Sequence, residues 1–257
     1  MNGRVGRVWL IGGSFLSVAL LAFGVMQGVG LLAHQRHHDH TVVTAPVHSV
    51  DISSGGGSVS VVGTSGRNVV VDAAVSEGLF AATNQVTVQG DRLIVRSSCP
   101  PVFNTFCQVN YTVHMPQSLP LRIRSDEGGI HVDGVGGDLD LASSGGGVHV
   151  TGSRGRLRLR SSGGAISATD AQSPTADASS SGGGVSLAFS QPPQRVTASS
   201  SGGGVTIQLP NTSDTYRVDI ASSGGSSRSE VRTDPTSTRL IHARSSGGGV
   251  RVLYPTP

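Results

Sequence analysis

The 257 residues include 37 glycines, while only 14% are charged and 4% aromatic. That much glycine without a G-X-Y period excludes collagen and argues against an ordinary helical domain. The two cysteines are too few for a disulfide-scaffold miniprotein or a four-cysteine zinc site. All 19 basic residues are arginine and the formal net charge is +3, but residues 41–257 carry 16 Arg against 15 Asp+Glu. So near-neutral a body predicts no nucleic-acid partner.

The first element is apolar. Val8 to Ala33 is a run of 26 residues without a charge, and as a helix rising ~1.5 Å per residue it exceeds the ~30 Å hydrocarbon core. Arg4 and Arg7 precede it. The positive-inside rule therefore predicts residues 1–7 in the cytoplasm, a single-pass anchor in the cell membrane over 8–33, and an extracytoplasmic remainder. A cleaved signal peptide is the alternative, although its apolar core usually runs only ~7–15 residues. Residues 34–47 read as a His-rich juxtamembrane linker, with four histidines at 34–40 and Thr41 to Val47 as a short tether. No partner ligands of fixed spacing follow, so no metal site is assigned there.

From residue 48 the chain reads as strands. Over 48–123, Val69–Val71, a hairpin from Val86 to Val95 through Gln89-Gly90-Asp91-Arg92, and Val109–Val113 suggest a separate first β lobe. Cys99 and Cys107 close a nine-residue loop in it. Outside the membrane this pattern predicts a disulfide. Phe103 and Phe106 make that loop a candidate contact surface.

Residues 124–257 carry the array. Ser/Gly clusters recur at 53–57, 125–129, 143–147, 161–164, 179–184, 199–204, 222–225 and 245–249, and a fixed period governs the fold reading. Each cluster is flanked by apolar-x-apolar pairs such as Leu139/Leu141 then Val148/Val150, with six residues between the pairs in all eight copies. Period-two alternation predicts strands with one buried face, and the clusters are repeated corners between them. Val218/Ile220 has a degenerate partner in Ser227/Ser229. The fold class is therefore all-β, a parallel β-solenoid of about 18–23 residues per coil behind a transmembrane helix. With successive coils ~4.8 Å apart, seven of them stand about 30 Å tall.

The outward residue of each first pair is Asp51, Arg122, Asp140, Arg158, Asp177, Thr197, Asp219 and His242. Arg122, Asp140, Arg158 and Asp177 alternate in sign and form a second candidate contact surface, a ladder that also fixes coil register.

The run YTVHMPQSLPLRIRSDEGGIHVDGVGGDLDLASSGGGVHV resembles the bacterial putative-adhesin family of unknown function, also described as the toastrack domain. The resemblance covers roughly residues 48–254 and implies a β-helical, non-enzymatic, often membrane-anchored protein near envelope-stress systems. It implies no catalytic residues. The serine runs at 179–181 and 199–201 are longer than the family pattern.

The functional expectation is a membrane-anchored binding or scaffold module of the bacterial envelope. Its partner would be an envelope protein or cell-surface polymer, or a second copy in self-association. A β-helix polysaccharide lyase or hydrolase is the alternative, and Asp138, Asp140, Arg156 and Arg158 are its best available set. Scarce aromatics for sugar stacking weigh against it. Calcium-binding nonapeptide repeats are rejected because no aspartate recurs after the glycines. His131 and His149 fall one coil apart; two stacked outward imidazoles could share a metal, but exposed histidines on a polar face are the commoner case. No catalytic, cofactor or metal residues are assigned.

Overall fold

A computed structural model describes residues 35–77, 80–100 and 107–255. The predicted anchor at 8–33 and the loop residues Phe103 and Phe106 lie outside the described residues. Among the described residues no helix is long and apolar enough to cross a membrane, and every regular element is a strand.

In chain order the first group is β1 (Gln35–Val43), β2 (Ser49–Ser54), β3 (Val59–Thr64), β4 (Val69–Glu77), β5 (Thr83–Gln89), β6 (Arg92–Ser98) and β7 (Gln108–Pro116). The array begins with β8 (Leu121–Ser125), β9 (Ile130–Asp133), β10 (Leu139–Ser143), β11 (Val148–Thr151), β12 (Leu157–Ser161), β13 (Ile166–Ala171) and β14 (Thr175–Ser180). It ends with β15 (Val185–Phe189), β16 (Arg195–Ser200), β17 (Val205–Gln208), β18 (Arg217–Ser222), β19 (Ser227–Ser229), β20 (Leu240–Ser245) and β21 (Val250–Leu253).

Two sheets face one another. Sheet A has eleven strands in the order β1-β4-β7-β3-β9-β11-β13-β15-β17-β21-β19, and sheet B has ten, β18-β20-β16-β14-β12-β10-β8-β2-β6-β5. Each coil of the array gives one strand to sheet B, turns a Ser/Gly corner, and gives the next to sheet A. Coils pair in parallel and in register, so Leu139 lies between Leu121 and Leu157, and Val148 between Ile130 and Ile166. The flanking apolar pairs point inward and are buried in every coil but one. Each buried Val, Leu or Ile contributes roughly 1.5–3 kcal/mol. The exception is the coil of β18 and β19, where Val218 and Ile220 are half-buried and Ser227 and Ser229 exposed.

That exception marks an end. Stacking does not follow chain order throughout: β20 lies between β16 and β18, and β21 between β17 and β19. The last coil in sequence is inserted beneath the one before it. A coil at the end of a stack has a neighbour on one side only, so Ser227 and Ser229 can replace aliphatic residues there at little cost.

At the other end two sequence expectations are corrected. Residues 48–123 are not a separate lobe, because β2 pairs with β8 and β3 with β9, and β4 to β7 extend the same two sheets. Nor is 34–47 a tether throughout. Gln35–Val43 forms edge strand β1 antiparallel to β4, held by the buried Val43 and by Asn84 Nδ2 donating to Asp39 Oδ2 at 2.8 Å. Strand alternation divides the histidines, so His38 and His40 lie on one face and His37 on the other. His40 faces Asp72. The hairpin of β5 and β6 forms as read, with Gly90 at φ 63° in its turn.

The corners explain the Ser/Gly clusters. Ser161 is buried; its hydroxyl accepts from the Gly164 N–H at 2.9 Å in its own coil and donates to the Gly146 carbonyl of the coil below at 2.9 Å. Ser143, Ser180, Ser200, Ser245 and Ser222 repeat both bonds. The glycine three residues after each serine lies against the backbone of the adjacent coil. A Cβ on Gly146 would stand 2.5 Å from Gly128 C and Gly129 N, and one on Gly164 2.4 Å from Gly147 N. One residue further on the fit varies by coil: a Cβ on Gly147 would stand 2.8 Å from the Ala165 carbonyl oxygen and one on Gly129 3.6 Å from its nearest neighbours, and Ala165 itself occupies that position. In the coil of β6 and β7 the corner is closed differently. Ser97 meets Ser54, and the disulfide Cys99–Cys107, with Cα atoms 5.7 Å apart, joins the end of β6 to the start of β7.

Two substitutions separate the corner's parts. Gly146→Ala is expected to destabilise by about 1–3 kcal/mol through overpacking, whereas Gly129→Ala, with no neighbour nearer than 3.6 Å, should be close to neutral. Ser161→Ala leaves a half-buried carbonyl and N–H without their partner and should cost about 1–3 kcal/mol. Equilibrium unfolding in denaturant measures all three, and equal effects at Gly146 and Gly129 would contradict the steric reading.

Candidate binding groove

Sheet B presents three outward rows of side chains, because its strands alternate and its coils keep register. The middle row runs Asp51, Arg122, Asp140, Arg158, Asp177, Thr197, His242, Asp219 across adjacent strands. The predicted ladder of Arg122, Asp140, Arg158 and Asp177 is therefore contiguous. It lines a groove of ≈610 Å³ that also takes in Asp51, Asp138, Arg156, Arg92 and Arg195.

The tightest pairs in the groove are not those of the ladder. Asp140 is 3.9 Å from Arg122 but 2.9 Å from Arg124, two residues along the same strand face. Arg124 also donates to the Ile123 and Asp140 carbonyls at 3.0 and 3.2 Å. Asp140 Oδ1 is buried without a hydrogen-bond partner among the described residues. Asp138 accepts from Arg156 three times, from Nη2 at 2.7 Å, Nε at 3.0 Å and the backbone N–H at 2.8 Å. Arg158, Arg160 and Arg195 make no side-chain hydrogen bond or ion pair among the described residues.

Hydrogen bonds from the Arg156 side chain and backbone hold the Asp138 carboxyl below the ordinary aspartate range, and Asp138 in turn raises Arg156. This runs opposite to the raised pKa that an acid–base carboxyl needs near neutral pH. The lyase set of Asp138, Asp140, Arg156 and Arg158 is thus brought together, with both acids engaged by arginine.

Charge is divided between the sheets. The strands of sheet B hold nine arginines (Arg92, Arg96, Arg122, Arg124, Arg158, Arg160, Arg195, Arg217 and Arg244) against Asp51, Asp140, Asp177 and Asp219, a formal +5. Those of sheet A hold Arg36, Arg228 and Arg251 against Asp39, Asp72, Glu77, Asp133 and Asp170, a formal −2. Sequence reasoning missed this, along with Arg124 and Arg160. The available signal was parity, since each lies two residues beyond a ladder arginine.

The remaining candidates fall elsewhere. His131 and His149 are neighbours on sheet A with ring centroids 5.9 Å apart, and no group of three metal ligands occurs among the described residues. The two long connections at 209–216 and 230–239 pack on one another. Asp214 meets Arg239 at 3.0 Å, Tyr216 bridges Thr233, and Arg232 lies 5.6 Å over the Tyr254 ring. Tyr216 is fully buried there, and burial, with Asp214 beside it, pushes its phenol up to about 12.

The Asp138–Arg156 pair gives a pH prediction. A carboxyl lowered in the folded state supports the fold above the ordinary aspartate range and loses that support as pH falls through its lowered value. In a carboxyl-detected NMR titration Asp138 should titrate below an ordinary aspartate, and Arg156→Gln should return it toward that range. An unmoved titration in the variant would contradict the assignment.

The family profile described as Toastrack DUF4097 matches residues 37–252. No curated protein matches the chain. Among solved structures, a putative cell adhesion protein from Clostridium sporogenes is 12% identical, with TM-score 0.42 over 86% of this chain and 100% of its own. A putative adhesin from Parabacteroides distasonis is 12% identical, with TM-score 0.43 over 84% of this chain and 97% of its own. One from Bacteroides fragilis is 17% identical, with TM-score 0.43 over 86% and 97%. The profile spans the stack from β1 to β21, and on that match the chain belongs to the toastrack DUF4097 family.

Proposed function

We propose that the chain is an adhesin-like binding and scaffold module of the bacterial cell envelope, anchored by residues 8–33 with the β-solenoid outside. One observation carries this reading: a stiff two-sheet stack presents a continuous charged face of ten strands with a groove along it. Repeat stacks of this kind offer long surfaces to extended partners. A single residue, His34, separates the uncharged run from β1, so an anchored stack stands directly at the bilayer rather than on a leash. The engagement of two groove acids, Asp140 by Arg124 and Asp138 by Arg156, favours binding over turnover. A link to envelope-stress systems rests on the family resemblance alone.

The test is topology in living cells. A C-terminally tagged full chain should sediment with membranes, resist alkaline extraction, and lose its tag to protease added outside intact cells whose outer barrier has been opened. A tag cut only after the inner membrane is broken, or a soluble chain, would overturn the proposal.

A further inference from the structure

The near-zero charge of the body conceals a cationic face, and we infer that the outer surface of sheet B binds an acidic polysaccharide carrying one anionic group per two sugars. This rests on the envelope-module reading and names the class of its ligand.

Three observations point to that chemistry. First, sheet B carries the +5 surplus, and Arg158, Arg160 and Arg195 reach solvent with no partner among the described residues. A guanidinium unmet by protein is a fork for carboxylate or phosphate. Second, the groove runs across the strands, so a ligand lying in it travels along the stack. Strands are ~4.8 Å apart, so Arg122 and Arg158, two strands apart, stand about 9.6 Å from one another. Asp140 stands between them, and Asp177 lies one strand beyond Arg158. An anion on every sugar would meet these aspartates, whereas an anion on alternate sugars meets arginine and leaves hydroxyls to donate to carboxylate. Third, no strand of sheet B contains Phe, Tyr or Trp. Single-stranded nucleic acid is held by stacking as well as charge, and this face offers none. Neutral glycans also lean on aromatic faces. Charge is what the surface supplies.

The experiment measures binding of the full chain in detergent micelles to three probes by biolayer interferometry. Hyaluronan has one carboxylate per disaccharide, dextran is a neutral polysaccharide, and a single-stranded oligodeoxynucleotide has a phosphate at every residue. Saturable hyaluronan binding that weakens with salt, with none to dextran, is expected. Arg158→Gln with Arg160→Gln should weaken it about tenfold or more, the scale of losing one or two charge-assisted hydrogen bonds, while Arg251→Gln on sheet A should leave it unchanged. These arginines are exposed, and a matched unfolding curve checks that the fold is intact. Oligonucleotide binding as tight as hyaluronan binding would overturn the inference in favour of an unselective cationic face. Equal affinities for the sheet B and sheet A variants would overturn it by moving the site. Absence of hyaluronan binding in a chain that passes the topology test would overturn the ligand class and leave the envelope module standing.

Discussion

Beyond the first corner, where Ser125 donates to the Gly128 carbonyl of its own coil, each corner of the array turns on a serine hydroxyl that accepts an N–H from its own coil and donates to a carbonyl of the coil beneath. One side chain thereby closes a turn and joins two layers. The glycine three residues later is the other half of the device, because adjacent backbones there leave no space for a Cβ. A hydrogen bond of this kind contributes only ~1 kcal/mol net, but leaving its groups unmet in the interior costs more, and the same arrangement recurs from Ser143 to Ser245. Coil spacing, strand register and the rows of outward side chains all follow from it. The charged face of sheet B is a consequence of the corner.

A ladder of identical joints must be stopped, and the two ends stop it differently. On one side Ser97 occupies the serine position, but Pro100 stands where the obligatory glycine would be, and the Cys99–Cys107 bridge holds the turn instead. Beyond it β1 and β4 run antiparallel to their neighbours, so the parallel repeat cannot continue. On the other side the coil of β18 and β19 carries serines in place of buried aliphatics, and the two long connections fold together around Tyr216. Inserting the final coil beneath this one places a complete apolar pair set, Ile241/Ala243 and Val250/Val252, where burial is full.

What the sequence disclosed, and what it withheld, divides along the same physics. Apolar pairs at constant spacing announce buried strand faces, because only a register can keep Leu139 and Leu157 in equivalent places. The disulfide and the β5–β6 hairpin were equally legible from local chemistry. Stacking order was not, since coils built to one template fit one another in many sequences. Only the Ser227/Ser229 pair hinted which coil ends the stack. β1 was hidden because an edge strand of histidines, with Val43 its one buried residue, lacks the alternation that identifies a strand. The charged face was hidden by averaging: a net charge over residues 41–257 sums two surfaces of opposite sign. Assigning each arginine to a face by parity would have separated them.

Amide hydrogen exchange in the native state tests the corner most directly. If the serine ladder holds the stack, the N–H groups of Gly146, Gly164, Gly183 and Gly203 should exchange as slowly as those of the central strands, through global unfolding alone. Exchange at the rate of exposed turns would show that the hydroxyls do not hold them, and that apolar burial alone keeps the coils together.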